Sequence, residues 1–127
     1  MKLNLKKYTE TETLLNSVDI KNASLYALAG VYSTFAELEK IKGNLKKSES
    51  YYQKIIEIDK KDVNKQNLAN DYLAMATMYF DFKKYDSAEK KFIESYNILI
   101  KSKDENAKKM VLQYLIEMNF EKNRNTK

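Results

Sequence analysis

Residues 72–92 read YLAMATMYFDFKKYDSAEKKF, and the spacing within them decides the fold. Tyr72, Met75, Ala76 and Tyr79 recur at intervals of three and four, which places their side chains on one face of an α-helix. After Lys83-Lys84 the helical interval resumes with Ala88, Phe92, Ser95, Tyr96 and Leu99. A helical pattern broken over two or three residues and then resumed predicts two antiparallel helices joined by a tight turn. Small Ala76 and Ala88 let two backbones approach, and Tyr72, Tyr79, Tyr85 and Phe92 fill the space around that approach.

The same pattern stands forty residues upstream. Tyr32, Phe35, Ala36 and Glu39 take the places of Tyr72, Met75, Ala76 and Tyr79, and Ser48 and Tyr52 those of Ala88 and Phe92. Nine residues separate Glu39 from Ser48, as they separate Tyr79 from Ala88, so the register is kept through the turn. Gly43-Asn44 supplies that turn, the glycine for a left-handed stop and the asparagine as N-cap of the next helix. Leu25, Leu28 and Ala29 extend the same apolar stripe by about two helical turns. Forty-two residues after Asp62-Val63-Asn64 comes Asp104-Glu105-Asn106, and Leu68, Tyr72 and Leu73 map onto Met110, Tyr114 and Leu115 as a third, partial copy.

These signals predict five helices: 23–42 with Asn22 as its cap, 45–59, a helix from a cap at Asp62 to about Phe82, 85–101, and one opened by Ser102-x-x-Glu105 and reaching about Phe120. Ser-x-x-Glu is a capping-box signature. Thr9-x-x-Glu12 is another, and with Leu14, Leu15 and Val18 it suggests a short helix within residues 1–21. The chain thus divides into an N-terminal segment 1–21, a helical domain 22–120 and a polar tail 121–127.

Composition narrows the chemistry. The 127 residues include no Cys, His, Pro or Trp and only two Gly. That excludes disulfides, thiolate–zinc and iron–sulfur sites, a thiol nucleophile, an imidazole base and a glycine-rich phosphate loop. Carboxylates are plentiful, but pairs such as Glu10 and Glu12 or Glu37 and Glu39 point in different directions on a helix. We therefore expect no enzyme, no cofactor and no metal. Lys and Arg number 23 against 18 Asp and Glu, for a net charge of +5. Arg124 is the single arginine, and sequence-specific nucleic-acid recognition favours arginine, so a nucleic-acid partner is disfavoured. Pairs such as Glu57 and Lys61 or Asp86 and Lys90 have the spacing of a solvated helix surface. Met1 to Lys7 carries positive charge without the apolar run of a signal peptide, and no stretch is apolar enough to span a bilayer. The expectation is a cytoplasmic chain with no membrane partner.

The motif large-x-x-large-small-x-x-Tyr followed by Ala-x-x-x-Phe, in Tyr72 to Tyr79 and Ala88 to Phe92, resembles the tetratricopeptide repeat family. Its spacing of about forty, rather than the more usual 34 or so, resembles the longer-helix repeats of kinesin light chains. Residues 23–120 then make about two and a half repeats. The resemblance implies an all-α fold: antiparallel helix pairs stacked as a short right-handed solenoid. Three positions depart from the family's pattern: Glu39 stands for an aromatic, Lys83 for the turn glycine and Lys60 for a closing proline.

The resemblance also implies a function, a non-catalytic module that binds a peptide or protein in a groove lined by the first helix of each pair. Carried over by position, the groove would present Ser33, Glu37 and Lys40, then Asn70, Leu73, Thr77 and Phe80, then Leu112, Leu115 and Asn119. The family members that grip a C-terminal carboxylate use Lys, Arg and Asn where this chain has Ser33, Leu73 and Ala74, so that activity is not expected. The last helix is apolar on nearly every side, and all-round apolar helices are normally covered. Met110, Ile116, Met118 and Phe120 are accordingly candidates for self-association as a homodimer. A third possibility is a regulatory or sensor segment of a larger signalling protein.

Overall fold

The computed structural model describes residues 5–17 and 24–125. Its regular elements are six α-helices: α1 Leu5–Asn16, α2 Leu25–Ile41, α3 Leu45–Asp59, α4 Gln66–Asp81, α5 Tyr85–Leu99 and α6 Glu105–Asn125. No strand occurs among the described residues. The chain forms two compact units, residues 1–58 and 59–127, each built from helices packed on their neighbours in sequence.

In the first unit α1 packs on α2, and the Lys42 ammonium, at the end of α2, pairs with the Glu12 carboxylate of α1. Phe35, Ala36, Leu38 and Glu39 of α2 are buried, as are Ser48, Tyr52, Ile55 and Ile56 of α3. Tyr51 of α3 stacks on Phe35 at 5.2 Å and on Tyr32 at 6.0 Å. The Ser48 hydroxyl donates to the Ala36 carbonyl at 2.8 Å, which satisfies a buried polar group where the second copy has Ala88.

The second unit repeats the α2–α3 pair in α4–α5 and carries its third helix, α6, after the pair. Tyr72, Met75, Ala76 and Tyr79 of α4 and Ala88, Phe92, Ser95 and Leu99 of α5 are buried. The Ser95 hydroxyl donates to the Ala69 carbonyl at 2.8 Å. On α6, Tyr114 stacks on Phe92 at 5.3 Å, and Val111 and Met118 are fully buried. Lys122 reaches from the last turns of α6 to Asp86 at 2.6 Å and Glu89 at 3.8 Å on α5. That ion pair lies in the segment the sequence assigns to a polar tail, and helix α6 continues through it to Asn125.

Both tight turns close the same way. After α2, Asn44 N–H donates to the Glu39 carbonyl at 2.8 Å and Gly43 N–H to the Lys40 carbonyl at 3.0 Å. After α4, Lys84 N–H donates to the Tyr79 carbonyl at 2.8 Å and Lys83 N–H to the Phe80 carbonyl at 2.9 Å. This double closure needs a residue in the left-handed region. Gly43 supplies it at φ +82°, and Lys83 at φ +61°.

Several helix starts differ from the sequence reading. Ser24 caps α2, its Oγ accepting from Ala27 N–H at 3.1 Å; Asn22 lies outside the described residues, as does Val18. Thr9 lies inside α1 rather than at its start, and accepts at its carbonyl from the Thr13 hydroxyl. Leu14 and Leu25, read as inward, are 70% and 56% exposed. Asp62 does not cap α4 directly. Its Oδ1 accepts from Asn64 N–H, and Asn64 Oδ1 accepts from Gln66 N–H, the first residue of the helix. Asp104, not Ser102, caps α6, with Oδ1 accepting from Ala107 N–H at 3.0 Å. Ser102 instead accepts from Asp104 N–H and donates to the Leu99 carbonyl. A carboxylate in this place adds favourable charge at the positive end of the helix.

Candidate functional site

The periodicity of α6 leaves an apolar line on its surface. Leu112, Ile116 and Phe120 are spaced by four and are 41%, 69% and 66% exposed. A spacing of four drifts only slowly around a helix, so the three form one stripe. The lower part of this stripe meets the end of α4. A pocket of about 510 Å³ is lined by Phe80, Asp81, Lys83, Tyr85, Ile116, Glu117, Phe120 and Glu121. Its position follows from the turn after α4: Lys83, in the left-handed region, reverses the chain so that Tyr85 at the start of α5 packs edge-on against Phe80 at 5.7 Å.

Other positions named from the sequence fall as follows. On α4, Asn70 is exposed and Leu73 and Thr77 are half-buried; the Thr77 hydroxyl donates to the Ala74 carbonyl of its own helix. On α6, Leu115 is half-buried and Asn119 exposed. In the first unit Ser33 and Glu37 are exposed and Lys40 is half-buried. Of the residues considered for self-association, Met110, Ile116 and Phe120 are exposed. Met118 is not available to a partner: it is fully buried and belongs to the packing of α6 on its own unit. The pocket brings together Phe80 from one set and Ile116 and Phe120 from the other. Of its polar rim, Asp81, Glu117 and Glu121 were not singled out from sequence, and Lys83 was named only for the turn. The spacing of Leu112, Ile116 and Phe120 could have pointed to it.

Charge around this face is arranged by pairs. The Lys122 ammonium, through its hydrogen bond to Asp86, holds that carboxyl below the ordinary aspartate range and is itself raised. Arg124 lies 3.5 Å from Glu121. No group of three or more His, Cys, Asp or Glu among the described residues is arranged to hold a metal ion, and none of their helices is long and apolar enough to cross a membrane.

A tetratricopeptide repeat family model matches residues 25–101, more than half of the chain. The match opens on the first residue of α2 and closes just beyond α5, so it takes in both helix pairs and the two turns between their members. The chain belongs to the tetratricopeptide repeat family. Its repeats are α2–α3 and α4–α5, and α6 stands where the first helix of a further repeat follows. No curated protein and no solved structure matches the chain. Tetratricopeptide repeats generally mediate protein–protein interaction and are not themselves catalytic.

Proposed function

We propose that this tetratricopeptide repeat domain binds a peptide or protein segment on the face formed by α4 and α6 in the second unit. The observation that carries the reading is the exposed stripe Leu112, Ile116 and Phe120, ending in a pocket against Phe80 and Tyr85. Contiguous exposed apolar surface with a polar rim marks interaction sites, and helical grooves commonly take amphipathic segments. Leu73 and Phe80 supply apolar anchors on α4, and Asn70, Thr77 and Asn119 offer polar register. Ser33, Glu37 and Lys40 hold the corresponding positions of the first repeat. The test is affinity capture from the source organism with the wild-type chain and the Leu73→Asp variant side by side. Loss of a captured partner with unchanged helicity supports the face; equal capture by both rejects it.

A second reading has support from the same stripe. Met110, Ile116 and Phe120 are exposed enough for α6 to pair with a second copy. In that case the domain serves assembly, and Ile116→Glu converts a dimer into a monomer in sedimentation velocity. A wild-type monomer at micromolar concentration removes this reading and leaves the first. A role as a regulatory segment of a larger signalling protein is compatible with either.

A further inference from the structure

The pocket beside Phe80 has a sign as well as a shape. Its floor is apolar, from Phe80, Tyr85, Ile116 and Phe120, and its rim holds Asp81, Glu117 and Glu121 against Lys83. Counting Arg124 beside Glu121, three carboxylates face two cations here, an excess of one negative charge on a chain whose net charge is +5. Glu121 already lies near Arg124. Glu117 is exposed and holds no ion pair among the described residues, one turn from Phe120 and adjacent to Ile116. It is the carboxylate best placed to meet an incoming cation.

We infer that the pocket takes a peptide segment in which a large apolar side chain is flanked by Lys or Arg. The apolar group enters between Phe80, Tyr85, Ile116 and Phe120, and the cation meets Glu117. This inference rests on the reading of the α4–α6 face as a peptide site and adds the chemistry of its partner. The volume suits it, since pockets of about 300–1,000 Å³ hold compact ligands and side-chain groups. Charge also argues against a second copy docking through this same face. A two-fold contact is made by one patch on itself, which would bring the Glu117 rims of both chains together. Like charges set face to face suppress association, whereas opposite ones steer it. Burial of the apolar anchor supplies most of the affinity. An exposed ion pair adds about two- to fivefold, so the acidic rim sets selectivity among apolar peptides.

The test selects random short peptides displayed on phage against the immobilised full chain. Enriched sequences are then synthesised with a fluorescent label, and their affinities measured by anisotropy for wild type, Leu73→Asp and two substitutions of exposed residues, Phe120→Ser and Glu117→Lys. The expected result is enrichment of Lys or Arg within one turn of Phe, Trp, Leu or Met. Phe120→Ser then weakens binding at least about tenfold, and Glu117→Lys about two- to fivefold, with the latter loss shrinking in high salt. Enrichment of acidic or neutral flanks, with binding still lost in Phe120→Ser, overturns the charge assignment and leaves the peptide face standing. No enrichment, or binding indifferent to both Phe120→Ser and Leu73→Asp, overturns the two together. A wild-type dimer that Phe120→Ser dissociates overturns the inference in favour of a second copy.

Discussion

Asn44 donates from Nδ2 to Oε2 of Glu39 at 2.7 Å, across the turn that closes α2. Glu39 is only 7% exposed and stands where the second repeat has Tyr79, so the asparagine solves a problem the aromatic never poses. A buried carboxyl oxygen without a donor is costly. Asn44→Ala should therefore lower stability by about 1–3 kcal/mol, read as a lower urea midpoint at unchanged slope. An unchanged midpoint would show that solvent replaces the amide at no cost.

The two turns predict opposite responses to substitution. Lys83 holds φ +61° without the freedom of glycine, at a cost of about 1–2 kcal/mol. Lys83→Gly relieves that strain and gives back part of the gain as unfolded-chain entropy, so a net stabilisation of about 0.5–1 kcal/mol is expected. Gly43→Ala should destabilise by about 1 kcal/mol, from backbone strain alone, because an added Cβ meets nothing within 4 Å. Both effects are measurable by chemical denaturation; a Lys83→Gly chain less stable than wild type would refute the account of the turn.

Asp71 makes stability depend on pH. Burial first, then a hydrogen bond shared with Asp59 and that neighbour's charge, push its carboxyl up to about 9. Its buried Oδ2 meets no donor, and a proton held between the two carboxyls supplies one. The folded state thus binds this proton more tightly than the unfolded chain, where an aspartate titrates near ~3.9. The stabilisation is complete below that value, declines as pH rises, and is gone above about 9. Melting temperature should fall across this interval in the wild type, and Asp71→Asn should flatten the profile. Parallel profiles for the two proteins would sink the assignment.

The two sides of α6 should respond very differently to truncation. Met118→Ala removes a fully buried side chain and should cost about 2–5 kcal/mol. Ile116→Ser, at a residue 69% exposed, should stay within about 0.5 kcal/mol while weakening any partner that uses the stripe. Thermal melts of the two variants decide it, and equal losses would show that Ile116 packs within the fold.

The helix pairs were legible because Ala36, Ala76 and Ala88 mark a crossing that only small residues permit, and the aromatics around them keep helical spacing. The family motif adds the turn register. What escaped were effects that depend on neighbours beyond the local pattern. Asp104 takes the cap of α6 from Ser102 because the helix opens at Glu105, and the Ser102 hydroxyl accepts from Asp104 N–H instead of from a helix donor. Residues 121–125 look polar and therefore frayed, yet Lys122 finds Asp86 and Glu89 on another helix. On the candidate face the apolar positions Phe80, Ile116 and Phe120 were each named, but as members of two separate surfaces. Periodicity gives a residue's angle on its own helix, and carries no information on which helix stands opposite.

The stripe on α6 also bears on how the protein behaves in the test tube. Three large apolar side chains facing water favour sticking between molecules, and at neutral pH the net charge of +5 opposes it. Near the isoelectric point of about 9.2 that repulsion disappears. Turbidity and non-specific adhesion should accordingly rise toward alkaline pH and in high salt, and Phe120→Ser should be the better-behaved preparation. An apolar stripe left facing water makes the chain dependent on its lysines for dispersal.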